Sequence, residues 1–311
     1  MLKQVLTISA TAAAVMLSAA DTPAVKWQFP ADAAQWSIKR NLTVEKTDDA
    51  IALLPTQGDS SIAIPKTDID PAKYNTLRIY YRAEGFKALR TTGQLFFGTA
   101  ASPKIVGTRR FFLPTLITDG KPQVLTLDLT RQKDYQTWLT AGKITTLRLD
   151  MVDQYPGDVY ISKIEFLARN TDSSCMVWNF AEDGIGDWYL HEKLKMSWQD
   201  NALYYETTGK DSRIVNKLCR FAGKNYTKVR VVYRAEGFTG KTSGQIFFTS
   251  NKTKHFDWRR RRVLPALTVD GKTHEFTVQA PWGDEEVNAL RLDMVDQHPG
   301  KIWIEKIELL P

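Results

Sequence analysis

The sequence predicts an all-β fold made of two tandem β-sandwich domains, and two observations lead to this prediction. The stretch LRLDMVDQYPGDVYISKIEF, from Leu147 to Phe166, returns as LRLDMVDQHPGKIWIEKIEL, from Leu290 to Leu309, and its first eight residues are identical in both places. Short segments of alternating apolar and polar residues follow one another with turn residues between them, which is typical of strands with one buried face. The chain therefore contains two copies of one strand-built domain.

Other matched segments extend the repeat over both copies. Each copy opens on a Trp-x-Phe pattern, and aromatic residues at a domain entrance usually seal a core. A strand ending in YRAEGF follows, and later an Asp-Gly-Lys turn joins two strands. The matched pairs are Trp27–Phe29 with Trp178–Phe180, Thr76–Phe86 with Lys228–Phe238, and Asp119–Lys121 with Asp270–Lys272.

The chain begins with the pattern of a secretory signal peptide. Lys3 precedes an apolar run from Val5 to Leu17, and small residues up to Ala20 suit a cleavage site. The run is shorter than the ~18 to 20 residues that cross a bilayer, and no later segment reaches that length. We expect a secreted or periplasmic protein, without a membrane span, that is cleaved near Ala20. The predicted organisation is a signal peptide over 1–20, a first domain over 21–168, a linker over 169–175 and a second domain over 176–311.

The charge of the chain bears on its partners. The formal net charge of +7 favours neutral or acidic partners over basic ones. Outside the cell, acidic polysaccharide is the natural anion, and nucleic acid is disfavoured because a secreted chain rarely meets it.

Two cysteines, Cys175 and Cys219, lie in the second copy and have no counterpart in the first. An oxidising compartment would allow a disulfide between them, and the alternative is a pair of buried thiols. The sequence leaves both alternatives open.

The matched residues resemble the non-catalytic carbohydrate-binding modules of the galactose-binding-like β-jelly-roll type. The opening W-x-F, the strand ending in YRAEG, the Asp-Gly-Lys turn and LRLDMVDQxPGxxxIxKIE carry this resemblance over both copies. It implies jelly-roll sandwiches that bind polysaccharide or oligosaccharide without catalysis. Some of these modules hold a structural calcium near a closing I-D-x-I strand. Here Ser162 and Glu305 stand at the aspartate position, so we expect neither a shared calcium site nor a cofactor.

Candidate binding residues follow from strand alternation. If Leu147 and Leu149 face the core, then Arg148 and Asp150 face outward. A sheet face that carries Arg, Gln and Asp can hydrogen-bond sugar hydroxyls, because guanidinium and carboxylate groups offer paired donors and acceptors. The alternative is a solvated face of cross-strand ion pairs, each worth ~0.2–1 kcal/mol. The candidates are Arg82, Gln94, Arg148 and Asp150 in the first copy and Arg234, Gln245, Arg291 and Asp293 in the second.

Sugar rings also need an apolar platform, for which Trp138 and Trp282 are the candidates because each lies in a variable loop before the repeated stretch. The alternative is that they cap the edge of the core. Trp258 precedes four consecutive arginines, Arg259–Arg262. This run is interpreted either as a solvated loop or sheet edge, or as a grip on sulfated or uronic-acid chains.

The pattern disfavours an enzyme. The four histidines lie in the second copy at no metal-ligand spacing. Asp150 with Asp153 recurs as Asp293 with Asp296, but the second member of each pair suits the capping of a turn. The first hypothesis is therefore a secreted glycan-binding protein without catalytic residues. A structural or adhesive surface protein that binds other proteins is the alternative, and a polysaccharide lyase or glycoside hydrolase comes third.

Overall fold

The computed structural model describes residues 23–64, 66–87, 91–169 and 175–311. The predicted signal peptide and its cleavage site lie outside the described residues, as does most of the predicted linker. The described chain is dominated by strands, and its helices are single turns. The predicted all-β class is therefore confirmed.

The first sandwich is built from strands β1 to β11. One sheet has the order β3-β4-β11-β6-β9, with β1 paired to β11, and the other has the order β2-β5-β10-β7-β8. Its strands are β1 Pro23–Gln28, β2 Ser37–Arg40, β3 Leu42–Lys46, β4 Ile51–Pro55, β5 Ser61–Ile64, β6 Thr76–Glu84, β7 Gly93–Thr99, β8 Arg110–Leu113, β9 Gln123–Asp128, β10 Ile144–Asp150 and β11 Asp158–Leu167. Single helical turns span Ala31–Gln35, Leu129–Arg131 and Tyr135–Leu139 (α1).

The second sandwich repeats this topology with strands β12 to β23. Its sheets have the orders β14-β15-β23-β18-β21, with β12 paired to β23, and β13-β16-β22-β19-β20, with β17 paired to β22. The strands are β12 Met176–Asn179, β13 Tyr189–Glu192, β14 Leu194–Gln199, β15 Ala202–Thr207, β16 Arg213–Asn216, β17 Phe221–Ala222, β18 Lys228–Glu236, β19 Gly244–Ser250, β20 Arg261–Leu264, β21 His274–Gln279, β22 Glu286–Asp293 and β23 Gly300–Leu310. Helical turns span Phe180–Asp183 (α2) and Gly223–Asn225.

Each sandwich has its own core, filled from both of its sheets. In the first, Leu77 and Ile79 of β6 pack in the same buried cluster as Leu147 and Leu149 of β10. The repeated stretch thus supplies a central strand to each of the two sheets, as β10 and β11 or as β22 and β23. Its alternation predicted these strands correctly, because strands buried on one face keep period two.

The two sandwiches contact each other through the edge strand β9. Leu125 of β9 forms an antiparallel bridge with Gly184, and the Arg131 guanidinium lies 4.8 Å from the Trp178 ring centroid. Asp183 forms ion pairs with Arg78 and Arg169 of the first sandwich. The second sandwich therefore covers an otherwise open sheet edge of the first.

The two cysteines differ in exposure: Cys175 is partly buried and Cys219 is buried. Cys175 and Cys219 are free thiols, so the disulfide is not formed in the structure. Cys219 is fully buried, and burial raises the pKa of its thiol well above the usual range. It packs as a small apolar side chain.

Among the described residues, no helix has the length and apolar character needed to cross a bilayer.

Candidate binding faces

The repeated Arg-x-Asp of β10 lies on the outer surface of the second sheet of the first sandwich. Because Leu147 and Leu149 point into the core, Arg148 and Asp150 take the opposite side. Across the sheet, Arg148 is opposite Phe96 of β7, and Phe96 is opposite Arg110 of β8. We call the outer surface formed by Gln94, Phe96, Arg110, Phe112, Arg148 and Asp150 the first face.

The first face is a row of guanidinium groups laid over aromatic rings. The Arg148 guanidinium carbon lies 4.4 Å from the Phe96 ring centroid, and that of Arg110 lies 4.8 Å from the Phe112 centroid. Arg110 Nη1 donates a hydrogen bond of 2.9 Å to Gln94 Oε1. Phe112 is 46% exposed and so offers an aromatic surface to solvent. The face thus places an apolar ring beside fixed polar groups.

Asp150 orients Arg148 and is closed to solvent. It has no exposed surface, and the Arg148 guanidinium donates to both of its carboxylate oxygens, with Nε 2.8 Å from Oδ1. Burial raises the pKa of Asp150, although the bonds from Arg148 act in the opposite direction. The expectation that Asp150 faces a ligand is wrong in this respect, because alternation sets the side of a sheet and not the exposure.

The second sandwich carries the same row on its own outer surface. Arg291 of β22 is opposite Phe247 of β19, and Phe247 is opposite Arg261 of β20. The Arg291 guanidinium lies 4.5 Å from the Phe247 centroid and bonds both oxygens of the fully buried Asp293. We call the outer surface formed by Gln245, Phe247, Arg261, Val263, Arg291 and Asp293 the second face.

Burial raises the pKa of Asp293 to about 6, against the opposing effect of the Arg291 guanidinium. Arg291 also bonds Asp211, which ties the guanidinium to a neighbouring strand connection. Asp293 therefore positions Arg291 over the ring, as Asp150 positions Arg148, and like Asp150 it is closed to a ligand.

Carboxylates gather at the edge of the first face, where Asp59, Asp150 and Asp153 bring oxygen atoms within 4.8 Å of one another. Arginines already occupy this cluster, since Arg40 pairs with Asp59 and Arg148 with Asp150. Asp153 accepts a hydrogen bond of 2.9 Å from the Thr92 hydroxyl, as a turn-capping residue does. These contacts give the three carboxylates a structural role at the edge of the first face.

Arg82 and Arg234 do not belong to these faces, and their grouping with Gln94 and Gln245 was wrong. They lie on β6 and β18, in the opposite sheet of each sandwich. Arg82 stacks on Tyr160 at 4.0 Å, and Arg234 donates to Glu305 at 3.0 Å. Alternation could say which residues point outward, but it could not say which of the two sheets carries each strand.

Trp138 and Trp282 are core residues, and their expected role as sugar platforms is wrong. Their exposed fractions are 0% and 2%, and their indole N–H groups donate to the backbone carbonyls of Tyr74 and Tyr226. Buried indoles commonly find such a partner for the N–H. The alternative, that they seal the core, describes their position.

The exposed aromatic surface instead lies near β8 and β20. Besides Phe112, Trp258 is 65% exposed in the loop before β20, and Val263 on β20 is 58% exposed. Sequence reasoning missed Phe96 and Phe112 as well as Phe247 and Val263. The paired phenylalanines of GQLFFG and GQIFFT carried a usable signal, because two neighbours on one strand must point to opposite sides.

Of the known proteins compared with this chain, only solved structures match it. No family model matches the chain, and no curated protein matches it. Among solved structures, the N-terminal tandem of two CBM22 domains from Paenibacillus barcinonensis Xyn10C is similar with 9% identity and a TM-score of 0.33, over 94% of this chain and 100% of that one. A variant of a family 29 carbohydrate-binding module complexed with cellulohexaose is 10% identical with a TM-score of 0.34, over 44% of this chain and 92% of that one. A second family 29 variant is 9% identical with a TM-score of 0.33, over 43% and 91%. These structures are carbohydrate-binding modules, the kind of domain that the sequence pattern resembles.

Proposed function

We propose that this protein binds polysaccharide through the first and second faces, with a preference for acidic chains and without catalysis. The observation that carries the proposal is the row of arginines that cover a buried phenylalanine in both sandwiches, next to the exposed apolar side chains Phe112, Trp258 and Val263. Sugar rings stack their C–H surfaces on aromatic rings while their hydroxyls bond to polar neighbours.

The charges of the second face favour an acidic chain. Arg261 donates a hydrogen bond to the Trp258 backbone carbonyl, and no carboxylate of the described residues forms an ion pair with it. Guanidinium groups bind carboxylate and sulfate oxygens with two parallel hydrogen bonds. The net charge of +7 acts in the same direction at longer range.

Binding without catalysis fits the state of the acids on the faces. Asp150 and Asp293 are buried beneath arginines that bond both of their oxygens. A general acid or base must reach the proton that it transfers. These carboxylates orient the arginines and are covered by them, which favours a recognition surface over a reaction centre.

The proposed location is the periplasm or the outside of the cell, after cleavage near Ala20. The sequence pattern of residues 1–20 supports this location, where polysaccharide is the common polymer. Two faces in one chain would raise avidity for a polymer that reaches both.

Affinity electrophoresis in gels containing polygalacturonate tests the proposal. We expect the polysaccharide to retard the wild type. The double variant Phe112→Ala, Trp258→Ala should bind with at least ten-fold lower affinity, a loss of about 1.4 kcal/mol in binding free energy. Tyr155→Ala is the control, because Tyr155 is an aromatic residue of comparable exposure, at 58%, that belongs to neither face. Absence of retardation by polygalacturonate, its methyl ester and cellulose derivatives would refute glycan binding and leave a protein-binding surface. Release of reducing ends or of unsaturated uronate would instead show an enzyme.

A further inference from the structure

The loop before β20 gives the second sandwich a cationic aromatic site that the first sandwich lacks. Trp258 is 65% exposed, and two guanidinium groups lie beside its indole. The guanidinium carbons of Arg259 and Arg261 are 5.3 Å and 5.6 Å from the ring centroid. An exposed apolar ring therefore lies close to two positive charges.

The arginines of this run differ in their contacts. Arg260 is structural, because it pairs with Glu285 and donates to Thr253 Oγ1 at 2.6 Å. Arg261 donates to the Trp258 carbonyl, and Arg262 donates to the Gln279 carbonyl at 3.0 Å. Backbone carbonyls hold these side chains in place without neutralising them.

Positive charge is consequently left over at this site. Within the described part of the chain, no carboxylate forms an ion pair with Arg259, Arg261 or Arg262, although Arg260 and Arg291 both have one. Two guanidiniums without an ion-pair partner beside one exposed ring are the arrangement that an anion with an apolar body would complete.

The first sandwich serves as an internal comparison. Arg109 donates to Thr99 Oγ1 and to the hydroxyl and carbonyl of Ser102, and Arg260 contacts Thr253 and Ser250 in the same manner, so these two arginines are equivalent. Counting from them, Gly107, Thr108 and Phe111 stand where the second sandwich has Trp258, Arg259 and Arg262. Of the site residues, the ring of Trp258 and the guanidinium of Arg259 are thus specific to the second sandwich.

We propose that the second face, together with Trp258 and Arg259, binds the anionic groups of a uronic-acid or sulfated glycan, while the first face binds a sugar segment regardless of charge. A sugar ring stacks on Trp258, and its carboxylate or sulfate lies against the two guanidiniums. This inference rests on the proposed function and assigns the acid preference to one of its two faces.

The test uses the full chain and two polymers that differ only in charge, polygalacturonate and its methyl ester. Affinities are measured by titration calorimetry at about 0.05 M and about 0.5 M NaCl, a range over which the screening length falls from roughly 14 Å to 4 Å. For wild type we expect tighter binding of polygalacturonate and a loss of that advantage at high salt. The double variant Arg259→Gln, Arg261→Gln should lose at least ten-fold in affinity for polygalacturonate at low salt and less than two-fold for the methyl ester.

Arg110→Gln is the matched variant, since it removes the equivalent of Arg261 from the first face. It should weaken the binding of both polymers to a similar degree and leave the ratio of their two affinities within two-fold of the wild-type ratio. Trp258→Ala should weaken both polymers, because the ring stacks on either sugar, while thermal unfolding midpoints show that all variants stay folded.

Several results would overturn the inference while leaving glycan binding intact. These are equal affinity of wild type for the two polymers, equal losses for them in the double arginine variant, or a change of the ratio in Arg110→Gln as large as in that variant. Tighter binding of oligothymidylate than of polygalacturonate would overturn it in favour of a nucleic-acid site. Binding of neither polymer would instead overturn the proposed function itself.

Discussion

Replacing Trp138 by alanine should destabilise the first sandwich and leave its binding face intact. Trp138 has no exposed surface, and its ring lies 5.1 Å from Phe97, 5.4 Å from Phe111 and 5.7 Å from Phe166, centroid to centroid. A tryptophan buries about 150–250 Å², which at about 25 cal/mol/Å² amounts to ~4–6 kcal/mol. Partial relaxation of the cavity brings the expected loss in the free energy of unfolding to about 3–5 kcal/mol.

The assay combines denaturant unfolding with binding under native conditions. We expect the midpoint of thermal unfolding to fall by about 10 °C, since about 1 kcal/mol shifts a domain of this size by ~2–4 °C. Affinity for polygalacturonate at 25 °C should stay within about two-fold of wild type, because most domains retain several kcal/mol of stability. Trp138→Phe is the control: it keeps most of the ring but leaves the Tyr74 carbonyl without its donor, a loss of about 1–3 kcal/mol.

The result that would refute this reasoning is an unchanged unfolding midpoint together with lost binding. It would mean that Trp138 contacts the sugar, one of the two roles that the sequence allowed, and that the core does not depend on it.

Three further predictions concern other parts of the molecule. Burial raises the pKa of Asp293 to about 6, so between about pH 4 and 6 the folded state holds a proton that the unfolded state has released. The free energy of unfolding should therefore fall as the pH rises from about 4 to 6. Asp293→Asn should remove this slope, and a free energy of unfolding that rises over that pH range would contradict the prediction. Gly184→Ala should separate the two sandwiches and raise the radius of gyration in solution scattering, because its Cβ would lie 2.0 Å from the Val124 carbonyl oxygen. Gly186→Ala has the same positive φ but no such clash, so an equal effect there would rule out a docking role. Cys219 should resist alkylation until the chain unfolds, since its thiol is buried and its pKa is raised, and mass analysis of native protein that finds it modified would contradict its placement.

The sequence predicted the two sandwiches well because the relevant physics is local. Alternation along Leu147–Phe166 sets which side chains are buried, and the Asp-Gly and Pro-Gly turns fix where strands end. The identical octapeptide then indicated that the same domain fold occurs twice in the chain. These signals do not depend on which strands become neighbours.

The binding faces were predicted less well because they depend on strand order. Arg82 and Arg148 both point outward, yet they lie on opposite sheets, and only the pairing of β7 with β10 brings Gln94 and Phe96 to Arg148. The exposure of an aromatic ring is also a property of packing. Trp138 in the helical turn α1 points inward, while Phe112 on the edge strand β8 is exposed.

The identity of LRLDMVDQ in both copies has a structural explanation. Leu147, Leu149 and Met151 of this stretch fill the core. Arg148, which is hydrogen-bonded to Asp150, lies over the Phe96 ring. The close of the motif fixes the neighbouring connection, because the Asp153 amide donates to the Thr92 carbonyl at 2.8 Å.

The tight approach of the chain before β7 adds a further constraint. A Cβ on Gly93 would lie 2.4 Å from the Met151 carbonyl oxygen, and one on Gly244 would lie 2.3 Å from that of Met294. Every part of the octapeptide is therefore held by contacts within its own sandwich. A segment held in this way is fixed by the fold, so under the proposed function a difference in specificity between the two faces would come from β8, β20 and the loops before them. Those are the segments in which Phe112 is replaced by Val263 and Gly107 by Trp258. If the faces bind glycans as proposed, the difference between the copies, and not their shared motif, should decide which glycan each face binds.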